Sequence, residues 1–319
     1  MIEMDVRVAI YLVTGFLESG KSTFLDFTLR QDYFQIEEPS LLVLCEEGEV
    51  EFDAGELQKK YNTYVEIIEK PEDFTKEKLA SFEAKYHPDR VMLEYNPLWS
   101  VAKLEQMELP EGWGIIQHIV TVDASTFQVY MNNMKSLFVE MIRNAELIIF
   151  NRADVSQPLA NFRRSIKIVN PSAQIIFENS EGEINDIFDG NMPYDLDADV
   201  VKIEDEDYGI FYVDVMEHPE KYEGKTMHFK GMTLKSRELS SGYFVPGRMA
   251  MTCCADDTSF IGYICKSPYA KKMKLGEWVE VTATMKMEYQ KAYHDIGPVF
   301  YATEVKSAEK PAQELVYFS

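Results

Sequence analysis

The stretch Val13 to Phe24, VTGFLESGKSTF, constrains this chain more than any other. An apolar run enters a glycine, four residues separate it from a second glycine, and Lys-Ser-Thr follows. Gly15, Gly20, Lys21 and Ser22 satisfy G-x-x-x-x-G-K-[ST]. Glycine has no Cβ, so the backbone N–H groups there can turn onto phosphate oxygens. Lys21 is spaced to reach β- and γ-phosphates, and Ser22 to set its hydroxyl on Mg²⁺. A helix starting at Lys21 adds the positive end of its dipole. Such a loop joins a buried strand to a helix, so the N-terminal part is expected to be α/β.

The rhythm of the following residues agrees. VRVAIYLVT, SLLVLCE, RVMLE, IIQHIVTVD, AELIIFN and AQIIFE read as strands covered on both faces. TKEKLASFEAKY, STFQVYMNNMKSLFVEMIR and PLANFRRSIKIV read as helices between them. Alternation of this kind predicts a P-loop domain with a mostly parallel sheet. It is expected to cover 1–195, and the acidic stretch 196–207 to act as a linker. From 208 to 319 the pattern is short strands, YGIFYVDV first among them, separated by Gly, Pro, Ser and Asp. This predicts a smaller all-β domain, an OB-like barrel.

The net charge is −22. An acidic surface repels nucleic acid and argues against binding to anionic membrane. No apolar run is long enough to span a bilayer, so no membrane insertion and a cytoplasmic location are expected. A nucleotide can still bind, because its cradle is local. Cys45, Cys253, Cys254 and Cys265 are too few for a disulfide framework.

A second motif names the base. Leu147 to Val155, LIIFNRADV, ends a predicted strand with Asn151-Arg152-Ala153-Asp154. Guanine-nucleotide proteins carry N-K-x-D there, and the aspartate accepts from guanine N1–H and the 2-amino group. Adenine would leave that acceptor unpaired. Arg152 stands where lysine is usual, and its stem and flat head can still cover a base.

With these residues in view, the chain resembles the CobW-type metallochaperone GTPases, relatives of HypB and UreG. GFLESGKST, CEEGEVEFD, VMLEYNP, VTVDAS and FNRAD occur in that family's order, over roughly residues 6–190. The resemblance implies GTP binding and hydrolysis coupled to delivery of a metal such as zinc. It adds Glu18, Ser19 and Thr23 to the nucleotide loop. It places Glu46 and Asp53 near Mg²⁺ and the γ-phosphate, Glu46 as a metal ligand. The family's strand-end glutamate falls on Glu94.

Two departures stand out. The family's Cys-x-Cys-Cys motif is replaced by a cysteine-free segment after Asp53. The family's Glu-x-x-Gly becomes Glu94-Tyr95-Asn96-Pro97, and proline has no N–H for a γ-phosphate. Glu46, Glu47, Glu49, Glu51 and Asp53 crowd one loop, so a carboxylate for the attacking water is at hand. No arginine finger or catalytic glutamine is legible. Slow turnover, or stimulation by a partner, is the expectation.

The second domain holds GRMAMTCCADD, with Cys253, Cys254, Asp256 and Asp257, and GYIC adds Cys265. Thiolates and carboxylates suit Zn²⁺, but adjacent strand residues face opposite ways, so core packing competes with a metal role. His228 and His294 each stand alone. The domain resembles the C-terminal domain of YcgQ-type proteins, described as permease subunits, over roughly 208–318. That resemblance implies a permease or a metal-handling protein as partner. Three functions remain in play: a slow Mg²⁺-dependent GTPase in metal homeostasis, a nucleotide-dependent adaptor that does not hydrolyse, and an OB-type nucleic-acid binder. The charge opposes the third.

Overall fold

The computed structural model describes residues 6–46, 48, 50–184, 187, 192–235, 239–251 and 258–316. It divides into two compact units, Met1–Ile187 and Phe188–Ser319.

The strands of the first unit are β1 (Val8–Thr14), β2 (Ser40–Leu44), β3 (Thr63–Ile67), β4 (Arg90–Glu94), β5 (Trp113–Asp123), β6 (Leu147–Asn151), β7 (Gln174–Asn179) and β8 (Gly182–Glu183). The helices are α1 (Lys21–Leu29), α2 (Ala54–Tyr61), α3 (Lys76–Tyr86), α4 (Val101–Gln106), α5 (Phe127–Asn133), α6 (Lys135–Ile142) and α7 (Leu159–Val169). The sheet order is β3-β2-β4-β1-β5-β6-β7-β8, parallel throughout except for the β7–β8 hairpin. Successive residues of a strand serve opposite cores. Leu12, Leu41 and Val91 join one buried cluster. Val13, Leu42 and Met92 join the other. This is why these strands read as unbroken apolar runs.

Two details differ from the sequence expectation. Tyr64 to Ile67 form part of a strand, β3, where no strand was expected, because the run is short and interrupted by Glu66. The long helical stretch after Asp123 breaks at Met134 (φ −132°, ψ 32°) into α5 and α6.

The second unit holds β9 (Val201–Lys202), α8 (Tyr208–Glu217), β10 (Thr226–Leu234), β11 (Tyr243–Met251), β12 (Thr258–Gly262), β13 (Ile264–Lys266), β14 (Trp278–Gln290), β15 (Asp295–Ser307) and β16 (Leu315–Val316). The path β11-β13-β15-β14-β10 closes through a β10–β11 pairing into a five-stranded barrel. Strict alternation along β10 and the first part of β14 puts Met227, Phe229, Val281, Ala283 and Met285 inside.

YGIFYVDV is not a strand. Tyr208, Phe211, Tyr212 and Val215 recur at helical spacing, and α8 buries nearly its whole circumference. Phe211 packs on Tyr222, Phe229 and Phe300, and the Tyr208 hydroxyl donates to Pro246 O at 3.1 Å. Its aromatic and β-branched content imitates a strand, and tertiary burial overrides that propensity.

The acidic stretch expected to be a linker is built into the second unit. Lys225 Nζ donates to Leu196 O at 2.8 Å, and Val201–Lys202 pair with β10. Asp205 has a specific task. The Arg248 side chain is 1% exposed and pairs with the Asp205 carboxylate. Its Nη1 donates to Asp205 O at 2.9 Å and its Nε to Lys230 O at 3.1 Å. The guanidinium also lies over the rings of Tyr208 and Trp278. A buried guanidinium without its carboxylate is costly, so Asp205→Ala is expected to destabilise the second unit by about 2 kcal/mol. Urea unfolding followed by tryptophan fluorescence checks this. A loss within experimental error would show that solvent already carries the charge.

Candidate nucleotide site

In an open α/β sheet, ligands bind beyond the carboxyl ends of the strands, where the strand order reverses. Here the chain leaves β1 towards β2 and β3, and later crosses to β5 on the other side of β1. The loop Gly15–Gly20 leaves β1 at that point. Glu94 ends β4 in register with Val13 and Leu44, and Asn151 ends β6 in register with Asp123. The site residues therefore converge because five strand ends share one sheet edge.

The loop itself needs glycine at two positions. Gly20 has φ 89°, and a Cβ there would lie 2.6 Å from Asn151 Nδ2. Gly15 has φ 150°, and a Cβ there would collide with Ser19 Oγ and Thr121 O. Glu18 also adopts positive φ, 62°. The Ser19 hydroxyl meets that of Thr121 at 2.9 Å.

Lys21 opens α1 and is only 3% exposed. Its ammonium donates to Gly15 O and Phe16 O, both at 2.9 Å, and pairs with the Glu46 carboxylate. Ser22 donates to both oxygens of Glu94, at 3.0 and 3.1 Å. Glu94 is 1% exposed. Burial drives its pKa up to about 7, with Lys21 and Ser22 opposing and Glu46 adding to the rise. The Gly48 backbone passes so close to Ser22 that any Cβ would collide with the Ser22 hydroxyl. Leu17, Glu18 and Thr23 complete the walls of a narrow cleft.

The base-side motif is tied to the same loop. Asn151 Nδ2 donates to Ser19 O at 2.6 Å, while its Oδ1 is buried without a hydrogen-bond partner among the described residues. Arg152, at φ 52°, donates to Glu18 O at 2.9 Å and to Asp123 Oδ2 at 2.6 Å. Asp154 is exposed, and its Oδ1 accepts from Ser156 N at 2.8 Å.

The structure thus brings Gly15, Glu18, Ser19, Gly20, Lys21, Ser22, Thr23, Glu46, Glu94 and Asn151 together. Asp53 is exposed and caps α2, accepting from Glu56 N at 2.9 Å. The acidic residues Glu47 and Glu49 lie outside the described residues, as do Cys253, Cys254, Asp256 and Asp257. Cys265 is fully buried in the barrel, where burial pushes its thiol up, and His228 Nδ1 meets Thr282 Oγ1 at 3.0 Å. Among the described residues no group of three or more His, Cys, Asp or Glu is placed to hold a metal.

Three residues at the site escape motif reading. Asp123 holds Arg152, Thr121 holds Ser19, and buried His118 holds the Thr14 hydroxyl at 2.9 Å just before the glycine loop. Burial lowers the His118 pKa to about 4, so the ring is neutral at pH 7. Thr121 and Asp123 both lie in VTVDAS, at the end of a predicted strand, while His118 has no such signal.

The glycine loop, the strand order and the convergent acids define a P-loop nucleotide-binding protein. The family model described as CobW/HypB/UreG, nucleotide-binding domain, matches residues 9–177, and the chain belongs to that family. A second model, the DUF1980 C-terminal domain, matches residues 185–318. The UPF0703 protein YcgQ of Bacillus subtilis is 22% identical over 117 residues, covering 37% of this chain and 41% of YcgQ. The chain thus spans less than half the length of that relative. Among solved structures, the Zn(II)-bound YjiA GTPase from E. coli is 21% identical, with a TM-score of 0.41 over 56% of this chain and 59% of that one. The hydrogenase maturation factor HypB from Archaeoglobus fulgidus is 18% identical, with a TM-score of 0.37 over 56% of this chain and 83% of that one. Among the described residues, no helix is long and apolar enough to cross a membrane.

The raised Glu94 pKa has a consequence for stability. The folded carboxyl, at about 7, holds its proton more tightly than the unfolded one, near 4.5. Its contribution is therefore full below pH 4.5 and is lost as pH rises through 7. The loss amounts to about 3 kcal/mol at most. Without nucleotide, Glu94→Gln is expected to flatten the fall in melting temperature between pH 5 and pH 8. Parallel pH profiles for wild type and variant would show that the carboxyl ionises freely.

Proposed function

We propose that this chain binds GTP with Mg²⁺ and hydrolyses it slowly, the γ-phosphate taking the place that the Glu46 carboxylate holds on Lys21. The observation that carries this reading is the Lys21 ammonium. It is buried at the head of α1, among carbonyl oxygens, with a carboxylate from the β2 loop as its anionic partner. Such an ammonium keeps an anion close, and a γ-phosphate brings more charge than a carboxylate. Displacement frees Glu46 and the loop it begins, which couples nucleotide state to that loop.

Ser22, Glu46 and Glu94 offer hard oxygen donors of the kind Mg²⁺ takes, and the ion would neutralise charge on the β- and γ-phosphates. Glu94, at a pKa of about 7, is suited to hold or pass a proton near neutral pH. Asp154, exposed beside a turn clamped to the glycine loop, supports guanine as the base. A role in metal homeostasis, with a metal-handling protein or a permease as partner, rests on the resemblance to the CobW/HypB/UreG family and to the YcgQ-type C-terminal domain.

Lys21→Ala is expected to weaken GTP binding by at least about 100-fold, since it removes a charge-assisted contact and the main cation of the loop. Glu46→Gln is expected to tighten nucleotide binding in the absence of Mg²⁺ by about fivefold, because the internal competitor is weakened. A fluorescent GTP analogue titrated into each protein measures both. Equal affinity for wild type and Lys21→Ala would sink the reading. Asp154→Ala is expected to cost at least about tenfold in GTP affinity and to leave ATP affinity unchanged. A loss shared by both nucleotides would remove the guanine assignment.

A second reading, a nucleotide-dependent adaptor without hydrolysis, is favoured by the loop after β4. Its N–H groups are spent or absent. Tyr95 N donates to Val13 O at 3.0 Å, Asn96 N points to the Cys45 sulfur, Pro97 has none, and Leu98 N donates to Asn96 Oδ1 at 3.0 Å. No donor is left there to follow a γ-phosphate into its transition state. Single-turnover assays with excess protein separate the two. GTP retained intact for hours, with Mg²⁺ present, selects the adaptor.

A further inference from the structure

The chain carries 54 acidic against 32 basic residues, yet Ile264 to Gly276, ICKSPYAKKMKLG, holds four lysines and no acid. This segment runs from β13 through a 3-10 turn, Ala270–Lys272, towards β14. Ser267 and Ala270, each 2% exposed, fix it to the barrel. Ser267 N donates to Gly242 O and Gly276 N to Thr233 O, both at 2.9 Å. The Thr233 hydroxyl donates to Lys274 O at 2.6 Å. With its inner side anchored, the segment presents its other residues outward. Lys266, Lys271, Lys272 and Lys274 are exposed. Between them stand Tyr269, 56% exposed, and Leu275, 65% exposed.

The lysines are not neutralised from within. Among the described residues, Lys266, Lys271 and Lys272 form no ion pair, and Lys274 has only Glu277, at 3.9 Å. Lys266 instead lies over the rings of Tyr243 and Tyr301, at 5.6 and 5.1 Å. A patch of this kind in a chain of net charge −22 is a local feature. At physiological salt, charges more than about 8 Å away are largely screened, so the patch and not the whole chain meets a surface.

We propose that this lysine loop of the second unit docks on anionic phospholipid. Lysines near such a surface each favour binding by about fivefold. Leu275 gains by leaving water for the acyl boundary, and Tyr269 suits the headgroup level. Other anionic partners fit less well. A single-stranded nucleic acid would stack successive bases on several open aromatic faces; Lys266 lies over Tyr243 and Tyr301, which leaves the patch one exposed ring, Tyr269. The charges of an acidic peptide would meet the lysines but offer Leu275 no apolar phase to enter. The net charge argues against membrane for the chain averaged over its surface; this patch is the exception. The proposal is independent of the nucleotide reading.

The test uses the full chain and sedimentation with phosphatidylglycerol–phosphatidylcholine vesicles, with phosphatidylcholine alone as control. Wild type is expected to sediment with the anionic vesicles only, and to be released by raised salt. The double variant Lys271→Glu, Lys272→Glu is expected to partition at least about tenfold less. Leu275→Ser is expected to partition several-fold less at unchanged salt dependence. All three positions are exposed, and an unaltered thermal melt confirms that each variant folds. Wild type that stays in the supernatant at low salt overturns the proposal, and so does a double variant that sediments equally well. Binding of a labelled single-stranded oligonucleotide or polyglutamate peptide that the double variant loses, without vesicle binding, overturns the choice of lipid.

Discussion

An ammonium group buried at the start of a helix must have an anion beside it. Lys21 is that group, and the first unit is organised around keeping its surroundings in register. Two carbonyl oxygens of the glycine loop accept hydrogen bonds from it, and Glu46 supplies the charge. The anionic partner is a carboxylate from the segment after β2, and its side chain is 12% exposed. Glu46 belongs to the segment after β2, where a loop and not a strand sets its position.

The neighbouring carboxylate behaves differently. Glu94 is locked at a strand end, and its strong desolvation is only partly offset by Ser22 and Lys21. Two acids at the same end of the sheet thus sit in different environments: one is ion-paired in a loop, the other is buried at a strand end and holds its proton more tightly. On β5, Thr121 holds the glycine loop through the Ser19 hydroxyl, and His118 holds Thr14, the strand residue just before it. Asn151 and Arg152 hold its other side. The loop is fastened on both flanks, so binding energy need not order it first.

The second unit solves a different problem. A small closed barrel removes its strand edges, and its acidic N-terminal approach supplies the counter-charge for a buried arginine. A run that looks like a solvated connector is thereby part of the barrel's own structure. The same barrel concentrates exposed lysines in one anchored loop, which the average charge of the chain conceals.

Much of the first unit was legible without coordinates. A glycine-lysine-serine loop after an apolar run forces a strand–loop–helix unit, because no other local structure aims backbone N–H groups and a helix dipole at one point. Unbroken apolar strands imply cover on both faces, hence a parallel sheet. These are local or periodic constraints, and each is written within a dozen residues. Glu46 and Glu94 were legible only through resemblance, since a carboxylate at a strand end looks the same whether it meets a lysine or water. What the tertiary structure alone decided depends on distant partners. It turned YGIFYVDV into a helix by enclosing its aromatic side chains on all sides. It gave Asp53 to a helix cap, and it brought Asp205 to Arg248 across 43 residues. Such pairings arise from packing between segments far apart in the chain, and no short-range pattern encodes them.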